Sequence, residues 1–176
     1  YPWTRWTVDS RDHVARITEL QRLCLVHFGL PHGQVWVTEV EGVIQCIAQW
    51  VDTARTVPAE VYEPLGPRFA ELEGDRAAAS AAAEAESHGW RPPQRHLYLA
   101  TMGTTPEHQG RGLGVLTLGP GLRFADEHGL PACLETSLEM NVRIYGRLGF
   151  EVVRHWRIAD GAGPGLWLMQ REPHQA

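Results

Sequence analysis

Gln109-Gly110-Arg111-Gly112-Leu113-Gly114 follows a β-like run, His96 to Met102, and opens an apolar segment, which sets three glycines at a strand-to-helix turn. Glycines at 110, 112 and 114 let backbone N–H groups approach an anion with no Cβ in the way. The start of a helix adds unpaired donors and a favourable dipole. That combination suits the pyrophosphate of a nucleotide-like ligand. Two other phosphate motifs fail on spacing. A P-loop ends in Lys followed by Ser or Thr, and the chain contains no lysine; a dinucleotide fingerprint begun at Gly110 needs glycine where Val115 stands. A second group lies downstream: Ala132 to Thr136 reads as a buried strand and Asn141 to Leu148 as a short helix stopped by Gly149. Asn141 and Tyr145 are four apart and share one face of that helix.

The order and spacing of these two groups resemble the GNAT superfamily of N-acetyltransferases. In that superfamily a Gln/Arg-x-x-Gly-x-Gly/Ala turn binds the pyrophosphate of acetyl-CoA, and a Tyr just before a Gly-Phe pair protonates the departing thiolate. Further stretches are similar to the puromycin N-acetyltransferases of the superfamily: Tyr1-Pro2 with Thr7-Val8-Asp9, Ile17 to Gln21, Gly66-Pro67-Arg68 with Ala70-Glu71-Leu72, and Pro106 to Gly110. The resemblance implies an α/β (α+β) fold, with a mixed central sheet splayed between its two central strands and helices on both faces. It implies one domain over 1–176, with no counterpart of the family's first strand and helix before Tyr1. Acetyl-CoA is the implied co-substrate. The implied acceptor is the primary amine of a small molecule, puromycin or a related aminoacyl-nucleoside antibiotic, so that the role would be antibiotic resistance. The alternatives are transfer to a protein or peptide amine, and a non-catalytic acyl-CoA-binding module.

Residue by residue, the resemblance makes Tyr145 the acid and Asn141 a ligand of the pantetheine arm. The backbone of Met102, Gly103 and Thr104 would bond the same arm. The amides of Gln109, Gly110, Arg111, Gly112, Leu113, Gly114 and Val115 would take the pyrophosphate. Glu135, on the strand facing the splay, is the candidate base, acting directly or through water. Trp3 and Trp6 lie where acceptor-binding loops occur in this family, and Trp6 and Trp50 are expected to stack on a flat acceptor.

Composition narrows the partners. With 176 residues, 43% of them hydrophobic, the chain suits one core. A net charge of −5 and no basic cluster argue against a nucleic-acid footprint. No apolar run reaches the roughly 18 residues of a membrane span, and the opening lacks a signal-peptide pattern, so a cytoplasmic protein without membrane contact is expected. Cys24, Cys46 and Cys133 are widely spaced in apolar surroundings and read as reduced core thiols. The nine histidines show no metal spacing, and no metal is expected. The assembly is left open between monomer and homodimer.

The elements that must position these groups follow from periodicity. A helix is predicted over 11–28, with Val14, Ile17, Leu20, Leu23 and Leu25 on one face and Asp12 as its start signal. Residues 34–40 and 43–51, parted by Glu41-Gly42, read as a hairpin. Helix is expected from about Ala59 to Ala85, broken near Pro64 and Gly66-Pro67, with an Ala-rich tail from Arg76 to Glu86 on the surface. Then come a strand at 96–104, a helix at 111–128 kinked by Pro120, strand 131–137, helix 141–148, and strands 150–158 and 165–171.

Overall fold

The backbone of strands 34–40 and 43–52 turns back through Glu41 and Gly42, both with positive φ, so the hairpin closes in the tight two-residue manner its sequence signals. In the computed structural model, which describes residues 1–55 and 57–174, these strands begin a six-stranded sheet. The strands are β1 (Gln34–Val40), β2 (Val43–Asp52), β3 (Leu97–Thr104), β4 (Ala132–Thr136), β5 (Glu151–Arg157) and β6 (Gly165–Arg171), in the order β1-β2-β3-β4-β6-β5. All neighbours are antiparallel except β3 and β4. That parallel pair runs only from Leu97↔Ala132 to Leu99↔Leu134, while β3 continues to Thr104 and β4 to Thr136. The sheet therefore forks at its centre, as expected.

Helices cover both faces. They are α1 (Pro2–Thr7), α2 (His13–Cys24), α3 (Leu30–His32), α4 (Ala59–Tyr62), α5 (Gly66–Glu73), α6 (Ala77–Trp90), α7 (Leu113–Glu127) and α8 (Glu139–Gly146). One face belongs to α7, whose Leu118, Leu122 and Ala125 pack on Trp50, Leu97, Leu99, Leu134 and Met169. The strand neighbours of these residues point to the other face, and a bulge in β3 opposite Gln49 and Trp50, which leaves Ala100 unpaired, turns Thr101 to that face as well although it is two residues from Leu99. There Thr101 donates to Gln21 of α2, and α6 sets Ala83 against Ile158 and Leu166.

Three expectations are corrected. Asp12 is left-handed (φ 50°) and its side chain caps nothing; buried Asp9 instead accepts the Arg11 amide and guanidinium just before the helix. Val14 is 79% exposed, and the helix, as expected, reaches past residue 24, running on through a π-helical turn, Leu25–Gly29, to His32. The Ala-rich tail is not a surface segment along its whole girth: Ser80, Ala83 and Ser87, at helical spacing, are buried. Pro120 lies inside α7, which continues through it. The carbonyl it leaves unbonded, that of Leu116, sits at the helix's exposed start, where solvent can take it.

Candidate active site

The glycine turn is built to leave donors free. Gly110 and Gly112 have φ of 74° and 79°, the left-handed region that glycine enters without cost, and Gly112 caps the start of α7. Neither has another group within 4 Å of where a Cβ would stand. At its two ends the loop is tied off: Gln109 N donates to Pro106 O at 3.3 Å and Val115 N to Gly112 O at 3.1 Å. Between them the N–H groups of Gly110, Arg111, Gly112, Leu113 and Gly114 have no protein acceptor among the described residues. The free run is thus two amides shorter than the sequence suggested. The Gln109 side chain bonds Thr104 O at 3.1 Å and anchors the loop to the end of β3. Unpaired amides at a helix start can accept an anion, and their number suits a group such as the pyrophosphate of an acyl-CoA.

Gly114 has a different reason to be glycine. Its φ is ordinary, and a Cβ there would collide with the terminal methyl of Met102. Met102 lies on the part of β3 beyond the fork and is packed against the α7-side core. Its sulfur accepts the Tyr145 hydroxyl at 3.6 Å. Tyr145 descends from α8 with its ring against Phe150, and 7% of the residue is exposed. Burial pushes its hydroxyl above the usual tyrosine range, and the nearby Tyr1 and Cys46 push it further. The hydroxyl stays protonated at neutral pH and is suited to give a proton rather than to take one.

Around the end of β4 the structure adds residues that spacing did not reveal. Asn141 lies in the first turn of α8, not at its cap, and its Nδ2 donates to Thr136 Oγ1 at 3.1 Å. The Tyr1 hydroxyl donates to the same Thr136 oxygen at 3.4 Å and accepts the Ser137 amide at 3.0 Å. The amide of Trp3 donates to Ser137 Oγ at 3.1 Å. The start of α1 is thereby pinned over the C-terminal end of β4, beside Tyr145. No local pattern announces this, because the partners are 134 to 136 residues apart.

Three site candidates are corrected. Trp50 is fully buried in the core, its indole against Gly121 of α7, and offers no surface to an acceptor. Trp6 packs with Trp3 and Trp156 on Ala83, Ile158 and Leu166, and the Arg76 guanidinium covers its ring at 4.2 Å. Glu135 points to the α6 face, away from Tyr145, and both its oxygens are taken by Arg91, at 2.8 and 3.0 Å. Burial alone would raise its pKa, but Arg91 and Tyr98 hold it below the usual carboxylate range. A carboxylate so held is a poor proton acceptor.

The protein-family model described as the acetyltransferase (GNAT) family matches residues 14–150. Among solved structures, a histone acetyltransferase HPA2 and related acetyltransferase from Corynebacterium glutamicum is 22% identical, with a TM-score of 0.70 over 98% of this chain and 82% of that one. The ribosomal-protein-S18-alanine N-acetyltransferase of Escherichia coli is 14% identical, with a TM-score of 0.55 over 97% of this chain and 93% of that one. The polyamine N-acetyltransferase of Drosophila melanogaster is 15% identical, with a TM-score of 0.55 over 98% and 87%.

Proposed function

Since the chain belongs to the GNAT acetyltransferase family, we propose that it transfers the acetyl group of acetyl-CoA to the primary amine of a small molecule, an aminoacyl-nucleoside antibiotic of the puromycin type. The observation that carries the reading is the alignment of three features along one path. These are the free amides of Gly110 to Gly114, the unpaired edge of β3 from Ala100 to Thr104, and the Tyr145 hydroxyl where β3 and β4 have parted. The amides hold the pyrophosphate, and the edges of Met102, Gly103 and Thr104 bond the pantetheine as another strand would. Asn141, whose Nδ2 is engaged by Thr136, keeps its carbonyl oxygen for the same arm.

The neutral amine attacks the thioester carbonyl carbon; the C–N bond forms and the C–S bond breaks. The Tyr145 hydroxyl gives its proton to the departing sulfur, the proton shed by the new amide nitrogen passes to solvent, and the phenolate takes a proton back from solvent to restore the acid. An α-amine titrates near neutrality, so it supplies the free base form without a strong protein base. That agrees with a site in which Glu135 is engaged elsewhere. The reading of a small acceptor rests on the sequence likeness to the puromycin N-acetyltransferases; α1 is held at the end of β4 through Ser137. The test is release of free CoA thiol from acetyl-CoA with puromycin, aliphatic amines and lysine-bearing peptides. Turnover of puromycin supports the reading. Turnover of peptides or aliphatic amines alone would refute the antibiotic acceptor, and no turnover with any amine would refute the transfer.

A further inference from the structure

On the α6 face, at the point where β3 and β4 part, the side chains form a closed polar group. Arg91, the residue that ends α6, lays its guanidinium over the Tyr98 ring, 4.0 Å from the centroid. Its Nε donates to Glu135 Oε1 at 2.8 Å, and its Nη2 donates both to Glu135 Oε2 at 3.0 Å and to the Tyr98 hydroxyl at 2.9 Å. The Tyr98 hydroxyl in turn donates to Glu135 Oε2 at 3.1 Å. Only 9% of the Glu135 side chain and 18% of the Arg91 side chain are exposed.

The position of the group along the strands gives it its meaning. Tyr98 sits within the short paired stretch, opposite Cys133, and Glu135 is the first residue of β4 beyond it. Past Leu134 no ladder bond sets the distance between the two strands, although β4 remains paired to β6 through Thr136. A buried ion pair adds little net stability over apolar side chains of like volume, so stability alone does not call for one here. What a bidentate guanidinium adds is a fixed planar geometry. The next residue, Thr136, carries the bonds to Asn141 and Tyr1.

We propose that Arg91 is a positioning residue for acetyl transfer: by clamping Glu135 of β4 to Tyr98 of β3 it fixes the opening of the fork that receives the acyl-CoA arm. The inference rests on the reading that the fork is the acyl-CoA site.

The test compares wild type with the double variant Arg91→Met, Glu135→Met, which removes both charges at nearly constant volume, and with Tyr98→Phe, which keeps the ion pair and its stacking on the ring but removes the two hydroxyl bonds that tie it to β3. Acetyl-CoA Kd is read by calorimetry, kcat and KM by thiol release, and folding by thermal unfolding. The double variant should fold, with acetyl-CoA Kd and KM raised about tenfold, while the acceptor KM at saturating acetyl-CoA stays within about twofold. Tyr98→Phe should raise acetyl-CoA Kd about threefold. A folded double variant with wild-type Kd would overturn the proposal, since a clamp that serves only stability would lower Tm and leave affinity alone. If the double variant does not fold, Tyr98→Phe decides, and an unchanged Kd there overturns it. Failure of the underlying reading is distinct: wild-type protein itself would then bind no acetyl-CoA, and the proposal would fall with it.

Discussion

Gly114→Ala places a methyl group well inside the 3.4 Å at which ordinary contact with Met102 begins. To restore normal packing the Met102 terminus must retreat by about 1 Å. Methionine yields readily, so the strain should be under about 1.5 kcal/mol. Alanine in a helix returns up to about 1 kcal/mol relative to glycine. The net change in stability is then within about 1 kcal/mol, a shift in Tm of about 2–4 °C for a chain of this length. Function should suffer more than stability. The Met102 sulfur is the acceptor of the Tyr145 hydroxyl, and moving it frees the acid to turn away from the fork. A loss of about tenfold in kcat, equivalent to about 1.4 kcal/mol, is expected. Steady-state thiol release, with Tm measured on the same preparations, provides the comparison. Met102→Ala removes the collision, so Gly114→Ala added to Met102→Ala should cost little beyond Met102→Ala alone. The reasoning fails if Gly114→Ala leaves kcat and KM at wild type. It also fails if the two losses simply add, which would mean that Gly114 serves something other than Met102.

Gly112, with φ of 79° and open space left for the anion, should lose acetyl-CoA affinity on change to either Asn or Ala, whose Cβ enters that space, and Ala should in addition strain the turn by about 1–2 kcal/mol; calorimetry that found either folded variant at wild-type affinity would contradict this. Tyr145→Phe should lower kcat by about 10²-fold with acetyl-CoA Kd preserved. Because burial raises the hydroxyl, it loses its proton only above its ordinary range, and wild-type kcat should show no alkaline fall from this group up to about pH 10. A fall below that pH that disappears in Tyr145→Phe would remove Tyr145 as a protonated acid. Gly121→Ala drives a Cβ into the Trp50 indole, which has no room to move in the core, and should destabilise by about 1–3 kcal/mol in thermal unfolding. Trp50→Phe in the same chain should recover part of that loss, and strict additivity would count against the contact.

The elements that short-range spacing defines were legible in the chain. The β-branched and aromatic runs and the Glu41-Gly42 break delimit the hairpin to within a residue, because strand propensity and a glycine turn are written locally. The left-handed glycines 110 and 112 announce the turn for the same reason, and Asn141 and Tyr145 do fall on one short helix next to the fork. Even here the reason for a residue could be misread. Gly114 belongs to the motif, yet what a side chain there would meet is the end of Met102, and a side-chain contact across two elements leaves no mark in either segment.

What the tertiary structure alone decided is which polar and aromatic groups meet. The family resemblance marks Trp6, and with it Trp50, as able to stack on an acceptor, but the closure of α7 over Trp50 and of Arg76 over Trp6 assigns both to packing. Glu135 is a plausible base by its strand alone and a structural anion once Arg91, 44 residues away, is placed against it. Tyr1 enters the site only because α1 folds onto the end of β4. Helix periods, strand alternation and turn conformations depend on a few neighbouring residues and are therefore encoded locally. The protonation, burial and partners of a side chain depend on charges and surfaces brought in from distant segments, and those are settled only when the chain has closed on itself.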